Sequence, residues 1–172
     1  MATLTIKGTS YPSTPAQDDI FFLEDAYDAH KPMWTYYDGT RWLSAHHFHT
    51  GGYINANTVA GYAEKIRIPR GGLSVYLPAI NVCASTFTAA TNDGSNYWTV
   101  TIRIYDATFA NNTLIHQFTT AADTAATWTD HSDVPDNNAV SYHDMVNISF
   151  AKTGSPGGIT CSWGLAYQLI AT

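Results

Sequence analysis

Three groups of side chains in this sequence have the types and spacing for chemistry. In His46-His47-Phe48-His49, His47 and His49 share one face of any strand, because successive side chains alternate. Two neutral imidazoles so placed can share a metal ion. Asp18, Asp19, Glu24, Asp25 and Asp28 form a dense carboxylate stretch in which two groups could make a glycosidase pair. Asp130, Asp133, Asp136 and Asp144 are oxygen donors of the kind calcium takes.

None of the three completes a set. Jelly-roll metalloenzymes of the cupin kind resemble one another in a His-x-His followed closely by a glutamate ligand. Here His49 is followed by Thr50-Gly51-Gly52-Tyr53, and the next glutamate is Glu64. The histidines therefore read as surface or inter-subunit contacts. The first carboxylates read as a solvated loop rim, and the later aspartates lack the tight alternating spacing of a calcium loop. The sequence has no Gly-x-Ser-x-Gly elbow and no phosphate-cradling glycine loop ahead of a helix. No catalytic residue, metal or cofactor is expected.

Composition narrows the partners. Charged residues make up 13% of the 172, against roughly 25% in ordinary soluble domains. Surface poor in charge and rich in Thr and Tyr is expected to face other protein, as in a homo-oligomer. The net charge is −6, and the eight Lys and Arg are scattered. Nucleic acid, which needs a basic face to displace counterions, is excluded as a partner. No apolar run approaches the ~20 residues of a membrane span, so no membrane insertion is expected. Met1 to Lys7 alternates like a strand and lacks the apolar core of a signal peptide, which implies synthesis in a cytoplasm. Cys83 and Cys161 lie in apolar, strand-like runs. They read first as small buried hydrophobes, with a single disulfide as the alternative.

The elements that must position these groups are strands. In YWTVTIRIYDA, Trp98, Val100, Ile102 and Ile104 share one face; in CSWGLAYQLIAT, Cys161, Trp163, Leu165, Tyr167 and Leu169 do. Val146, Ile148 and Phe150 form another inward set, as do Ile66 with Ile68 and Leu73 with Val75 and Leu77. Pro78 is expected to interrupt its strand before INVC resumes. Turn clusters at Arg70-Gly71-Gly72, Thr91 to Asn96, Asp133 to Asn138 and Thr153 to Gly158 separate the runs. Thr120 to Asp130 reads either as a loop or as one short helical turn. The expected fold is all-β: a small N-terminal β segment (residues 1–50), then an antiparallel β-sandwich of jelly-roll type (residues 51–172).

Within the N-terminal segment, Tyr11-Pro12-Ser13-Thr14-Pro15 is an extended connector. Ile20 to Glu24 and Met33 to Asp38 are short strands. In YYDGTRWL (Tyr36 to Leu43), Asp38-Gly39 is a strong two-residue hairpin turn. Trp34, Tyr36 and Trp42 can then meet across strands, each aromatic pair adding about 0.2–1 kcal/mol. A sheet this small buries little by itself, so it must dock on the larger domain or on a partner. Trp98, Trp163 and Tyr167 read as core, whereas Tyr11, Tyr53, Tyr62 and Tyr97 lie beside turns and are candidates for exposed contacts.

The run YPSTPAQDDIFFLEDAYDAHKPMWTYYDGTRWLS resembles a segment common in tailed-phage virion proteins, especially tail fibres and related structural components. There a Pro-containing approach and a Gly-Asp or Asp-Asp precede an aromatic strand, a variable loop and YDGTRWL. Asp18-Asp19 stands here for the more usual Gly-Asp. The resemblance covers about 35 residues and implies a non-enzymatic virion component, made in the host cytoplasm. Such a component, of capsid-decorating or fibre type, would dock on other virion proteins. The resemblance also implies a homotrimer, since such modules often sit on three-fold axes. The partner-binding residues expected on this reading are Trp34, Tyr36, Tyr37, Arg41, Trp42, His46, His47, His49 and Tyr53. The alternative is a lectin-like, receptor-binding domain that recognises host-surface glycan with its aromatic faces.

Overall fold

A computed structural model describes residues 6–27, 31–59, 61, 63–66, 74–86, 92–135, 137–141 and 143–171. Asp28, Tyr62, Ile68, Leu73, Thr91, Asp136 and the Arg70-Gly71-Gly72 turn lie outside the described residues. Every regular element among those described is a strand: β1 (Ile6–Gly8), β2 (Ile20–Tyr27), β3 (Lys31–Tyr37), β4 (Trp42–Ser44), β5 (Phe48–Asn57), β6 (Ala63–Ile66), β7 (Val75–Thr86), β8 (Tyr97–Tyr105), β9 (Asn112–Thr119), β10 (Thr129–Asp130), β11 (Ala139–Val140), β12 (Met145–Thr153) and β13 (Ile159–Ala171).

They form a two-sheet β-sandwich. The small sheet runs β6-β12-β8-β9, with β12 and β8 paired in register from Met145–Tyr105 to Thr153–Tyr97. The large sheet is built on β13, which takes β7 along one edge and β5 then β4 along the other. Beyond β4 follow β3, β2 and β1, the last pair parallel. The N-terminal strands thus continue the large sheet through β4, whose Leu43 pairs with Ile170.

The period-two pattern explains the core. Trp98, Val100, Ile102 and Ile104 of β8 and Val146, Ile148 and Phe150 of β12 are buried toward the large sheet. They meet Cys161, Trp163, Leu165 and Tyr167 of β13 and Val82 and Ala84 of β7. Trp98 meets Phe150 edge-on, with ring centroids 6.4 Å apart, and its indole N–H donates to the Gly157 carbonyl at 3.2 Å.

One local expectation needed revision. Pro78 does not interrupt β7, which runs through it for 12 residues. Instead the inward set changes phase, from Val75 and Leu77 to Ile80, Val82 and Ala84. β13 advances two residues, Ala166 to Gln168, where β7 advances three, Ala79 to Tyr76. That extra β7 residue is a bulge, the usual accommodation of a proline that cannot donate to the ladder. Of the two readings of Thr120 to Asp130 the structure takes the loop: turns held by Asp123 N–H on Thr120 O and Thr127 N–H on Thr124 O lead into β10. The Gly51-Gly52 step lies inside the ten-residue β5. A Cβ on Gly51 would collide with the Trp163 carbonyl, and one on Gly52 would come within 2.9 Å of the Trp163 indole nitrogen. The glycines let β5 lie close against β13.

The same register decides the cysteines. Cys161 pairs with Ala84 and faces inward, while Cys83 pairs with Ser162 and faces outward. Both are free, and their side chains leave the sheet on opposite faces.

Candidate functional site

The YYDGTRWL hairpin is built around Asp38. Its backbone N–H donates to the Arg41 carbonyl at 3.1 Å. Its Oδ1 accepts the N–H groups of Thr40 at 2.8 Å and Arg41 at 2.7 Å. Asp38 and Arg41 therefore flank the turn, whose central pair is Gly39-Thr40 and not the expected Asp38-Gly39; Gly39 sits at φ +96°, a backbone region that costs other residues a Cβ clash. Arg41 Nε lies 3.5 Å from Asp38 Oδ2, and its guanidinium lies 4.9 Å over the Tyr76 ring of β7.

One face of the N-terminal strands closes on itself. Trp42, 7% exposed, stacks on Tyr11 of the proline-stiffened connector at 4.7 Å and 14°. It also meets Tyr37 at 5.4 Å and Phe21 at 5.9 Å. Phe21, Leu23 and Met33 join Trp42 in the same hydrophobic cluster as the sandwich core. Trp42 and Tyr37 therefore serve internal packing.

The other face is open. Across β2 and β3, Ile20 pairs with Tyr36 and Phe22 with Trp34. Ile20 is 39% and Trp34 42% exposed, and the Phe22 and Trp34 rings are 4.8 Å apart. The Tyr36 hydroxyl donates to Gln168 Oε1 at 3.3 Å. Gln168, itself buried, donates through Nε2 to the Ser44 carbonyl at 2.7 Å.

The ladder also places the histidines. Phe48 pairs with Tyr167 and stacks on it at 5.4 Å, while His49 pairs with Ala166 and Tyr53 with Ser162. His46, His47 and His49 are exposed, and Tyr53 is 59% exposed. Tyr36, Leu43 and Ile170 form one row across β3, β4 and β13. By alternation along β13, that row lies on the same side of the large sheet as Ala166, His49, Ser162 and Tyr53. Trp34, Tyr36, His49 and Tyr53 thus share one side of the large sheet, with the buried Leu43, Ala166 and Gln168 between the two pairs. Arg41, Tyr37 and Trp42 are committed to the hairpin, its core and β7.

Several of the acidic side chains have local partners. Asp19 Oδ2 accepts Ala16 N–H at 2.8 Å, and Glu24 pairs with Lys7 at 3.4 Å. Asp130 Oδ1 accepts the Ser132 hydroxyl at 2.5 Å and its N–H at 2.9 Å. Those bonds from Ser132, hydroxyl first, hold the Asp130 carboxyl below its ordinary range. Among the described residues no three metal-ligating groups converge.

Two features escaped the sequence reading. At the open edge of the sandwich, His131 Nε2 lies 2.9 Å from Asp123 Oδ2, and the His131 ring stacks on Phe118 at 3.9 Å. His116 Nε2 meets the His131 carbonyl at 2.8 Å. This network joins β9 of the small sheet to the segment after β10 of the large one. Along the same edge a cleft of about 380 Å³ is lined by Ile104, Thr113, Asn137, Asn138, Ala139, Ser141 and Asp144. Its lining comes from three separated stretches of chain, so no local motif announces it.

No protein-family model and no curated protein matches the chain. Among solved structures it is similar to the C-terminal family 22 carbohydrate-binding module of Clostridium thermocellum xylanase 10B. That match has 11% identity over 75% of this chain and 84% of the other, at a TM-score of 0.36. It is also similar to the same organism's N-terminal module pair of this xylanase, complexed with xylohexaose. There the identity is 11%, over 88% of this chain but only 24% of the other, and the TM-score is 0.35. A CocE/NonD family hydrolase from Staphylococcus aureus aligns at 8% identity over 91% of this chain and 42% of its own, with a TM-score of 0.39.

Proposed function

We propose that the chain is a non-enzymatic structural module of a virion, which docks on other virion proteins as a homo-oligomer. The observation that carries this reading is the outward face of β2 and β3. There Ile20 and Trp34 stand exposed, with the half-buried Phe22 against Trp34, on strands whose opposite face is already filled by Trp42, Phe21 and Tyr11. Strands with one face buried internally ordinarily turn a polar face to water. Contiguous exposed apolar side chains mark interaction sites, and a central Trp is a frequent anchor, with truncation typically costing about 2 kcal/mol or more. The test is mass spectrometry of purified particles of the virus that encodes the chain, made with wild-type protein or with Trp34→Ser. Wild-type chain should be incorporated and the variant lost from particles while remaining soluble. Absence of the wild-type chain from particles overturns the proposal.

The second reading is recognition of host-surface glycan. The cleft at the β9–β11 edge favours it, because its walls carry hydroxyl, amide and carboxylate groups over an apolar floor. Binding of the purified full chain to a glycan array tests it, and a blank array counts against it.

A further inference from the structure

The outer face of the small sheet gathers two cations that lie far apart in the sequence. Lys65 of β6 and Arg103 of β8 both pair with Asn147 of β12, so the three stand in one row across adjacent strands. Neighbouring strands lie about 4.8 Å apart, which sets the two cationic residues roughly 10 Å from each other. Val146 and Ile148 flank Asn147, Ile102 and Ile104 flank Arg103, and all four are buried in the core. By alternation the row faces away from that core. Asn147 is 5% exposed, yet its amide makes no hydrogen bond among the described residues. Buried amides are ordinarily paired.

Both cations are held by neutral groups. Arg103 Nη1 donates to Asn112 Oδ1 at 2.8 Å, which uses one of the five guanidinium N–H donors. Lys65 Nζ lies 4.3 Å from the centre of the Phe109 ring. Among the described residues neither cation meets a carboxylate. Asp106, at the head of the β8–β9 loop, turns its own carboxylate onto Thr108, Ala110 and Asn111. That loop holds Phe109 at φ +61°, a strained conformation for an aromatic residue, and leaves its ring 42% exposed beside Lys65. Two residues along the strands, about 7 Å away, Thr101 pairs with Ser149 and Gln117 and adds hydroxyl and amide groups to the same face.

This arrangement selects a ligand class. An ammonium, a guanidinium and the amide nitrogen of Asn147 can all donate to one oxyanion, and bonds between ionised partners are roughly twice as strong as neutral ones. A neutral hydroxyl would leave both charges unmatched. The Phe109 ring offers an apolar surface to the C–H face of a sugar, and the neighbouring Thr101 row offers partners to its hydroxyls.

We propose that Lys65, Asn147 and Arg103 bind the carboxylate or sulfate group of an acidic sugar. The inference rests on the glycan reading and adds to it a site on the outer face of the small sheet and a charge class. The experiment titrates the ¹⁵N-labelled full chain with methyl glucuronide, the methyl glycoside of N-acetylneuraminic acid and galactose 6-sulfate. Methyl glucoside is the neutral probe and sodium sulfate the bare anion. At least one acidic sugar should shift the amides of Lys65, Arg103, Phe109 and Asn147, with tighter binding at low salt. Methyl glucoside should not shift them, and sodium sulfate should bind more weakly than that sugar. Arg103→Gln removes the charge but keeps an amide for Asn112, and should weaken binding about tenfold, the loss of one charge-assisted bond. Asn147→Asp sets a carboxylate of nearly the same shape between the cations and should abolish binding while the melting temperature is kept. If Asn147→Asp does not fold, Arg103→Gln alone decides. Acidic-sugar binding that maps elsewhere and survives these substitutions overturns the site but leaves the glycan reading standing. Equal binding of methyl glucoside overturns the charge class, and sulfate binding as tight as that of every acidic sugar overturns the sugar. No binding in any titration overturns the proposal, and a blank glycan array then overturns the glycan reading as well.

Discussion

Gly39 and Asp38 carry the hairpin between them, and they do so differently. At φ +96°, with only the flexible Gln17 side chain near its missing Cβ, Gly39 is needed for backbone conformation and not for space. Gly39→Val should destabilise by about 1–2 kcal/mol, the left-handed-region penalty; an unchanged denaturant midpoint would contradict the turn. Asp38→Ala removes the acceptor of two N–H groups and should cost about 1 kcal/mol. Asp38→Asn keeps an acceptor and gives up only a partly exposed ion pair, so it should be near neutral. A second turn gives a pH signature. The side chains of Asn111, foremost, and Thr108 donate to Asp106, as do the N–H groups of Thr108, Ala110 and Asn111. These bonds hold its carboxyl below the ordinary range. A carboxylate depressed in the folded state contributes stability above its unfolded value, about 3.9. That contribution is lost as pH falls through the lower folded value. The stability gap between wild type and Asp106→Asn, followed by urea titration, should be widest near pH 6 and close below about pH 4. A gap that persists at pH 2 would mean that the carboxylate is not the stabilising species.

At the scale of elements, the junction between β4 and β13 governs the N-terminal strands. The Ser44 hydroxyl accepts the Leu169 N–H at 3.0 Å, and Gln168, 1% exposed, depends on Ser44 and Tyr36 for its amide partners. Removing residues 1–45 spares β5 and β13 but orphans Gln168 and uncovers Leu169. We expect the truncated chain to fold as a soluble sandwich with a lower melting temperature and no incorporation into particles. Outright aggregation would mean that the N-terminal strands belong to the main folding unit and not to an attachment segment. A boundary at residue 50 falls within β5, where Gly51 and Gly52 let it lie close against β13.

For the whole molecule, scarce charge and the side of the large sheet that carries Trp34, Tyr36, His49 and Tyr53 favour self-association. Identical chains usually associate with closed symmetry, and a stable interface buries on the order of 800 Å² per chain. On the proposed virion role, we propose three copies, the number that the resemblance of the N-terminal run implies. Light scattering at micromolar concentration should return about three times the 18.8 kDa chain mass, and Trp34→Ser should lower it. A monomer at every concentration would overturn the trimer.

What the sequence determined by itself was whatever repeats with the strand period or sits in a turn. The inward sets of β8, β12 and β13 and a tight turn at Gly39 were legible because alternation and turn chemistry are local; the expected meeting of Trp34, Tyr36 and Trp42 was not, because Trp42 lies on the opposite face, against Tyr11, Tyr37 and Phe21. Only the tertiary structure decided which aromatics are spent on packing and which remain exposed: Trp42 is covered by Tyr11, from 31 positions earlier in the sequence, while Trp34 is not. It also decided the phase change at Pro78, the opposite facing of Cys83 and Cys161, and the cleft beside Ile104. Each depends on register between strands distant in sequence, and a single strand's pattern carries no record of which partner it will meet or in what alignment.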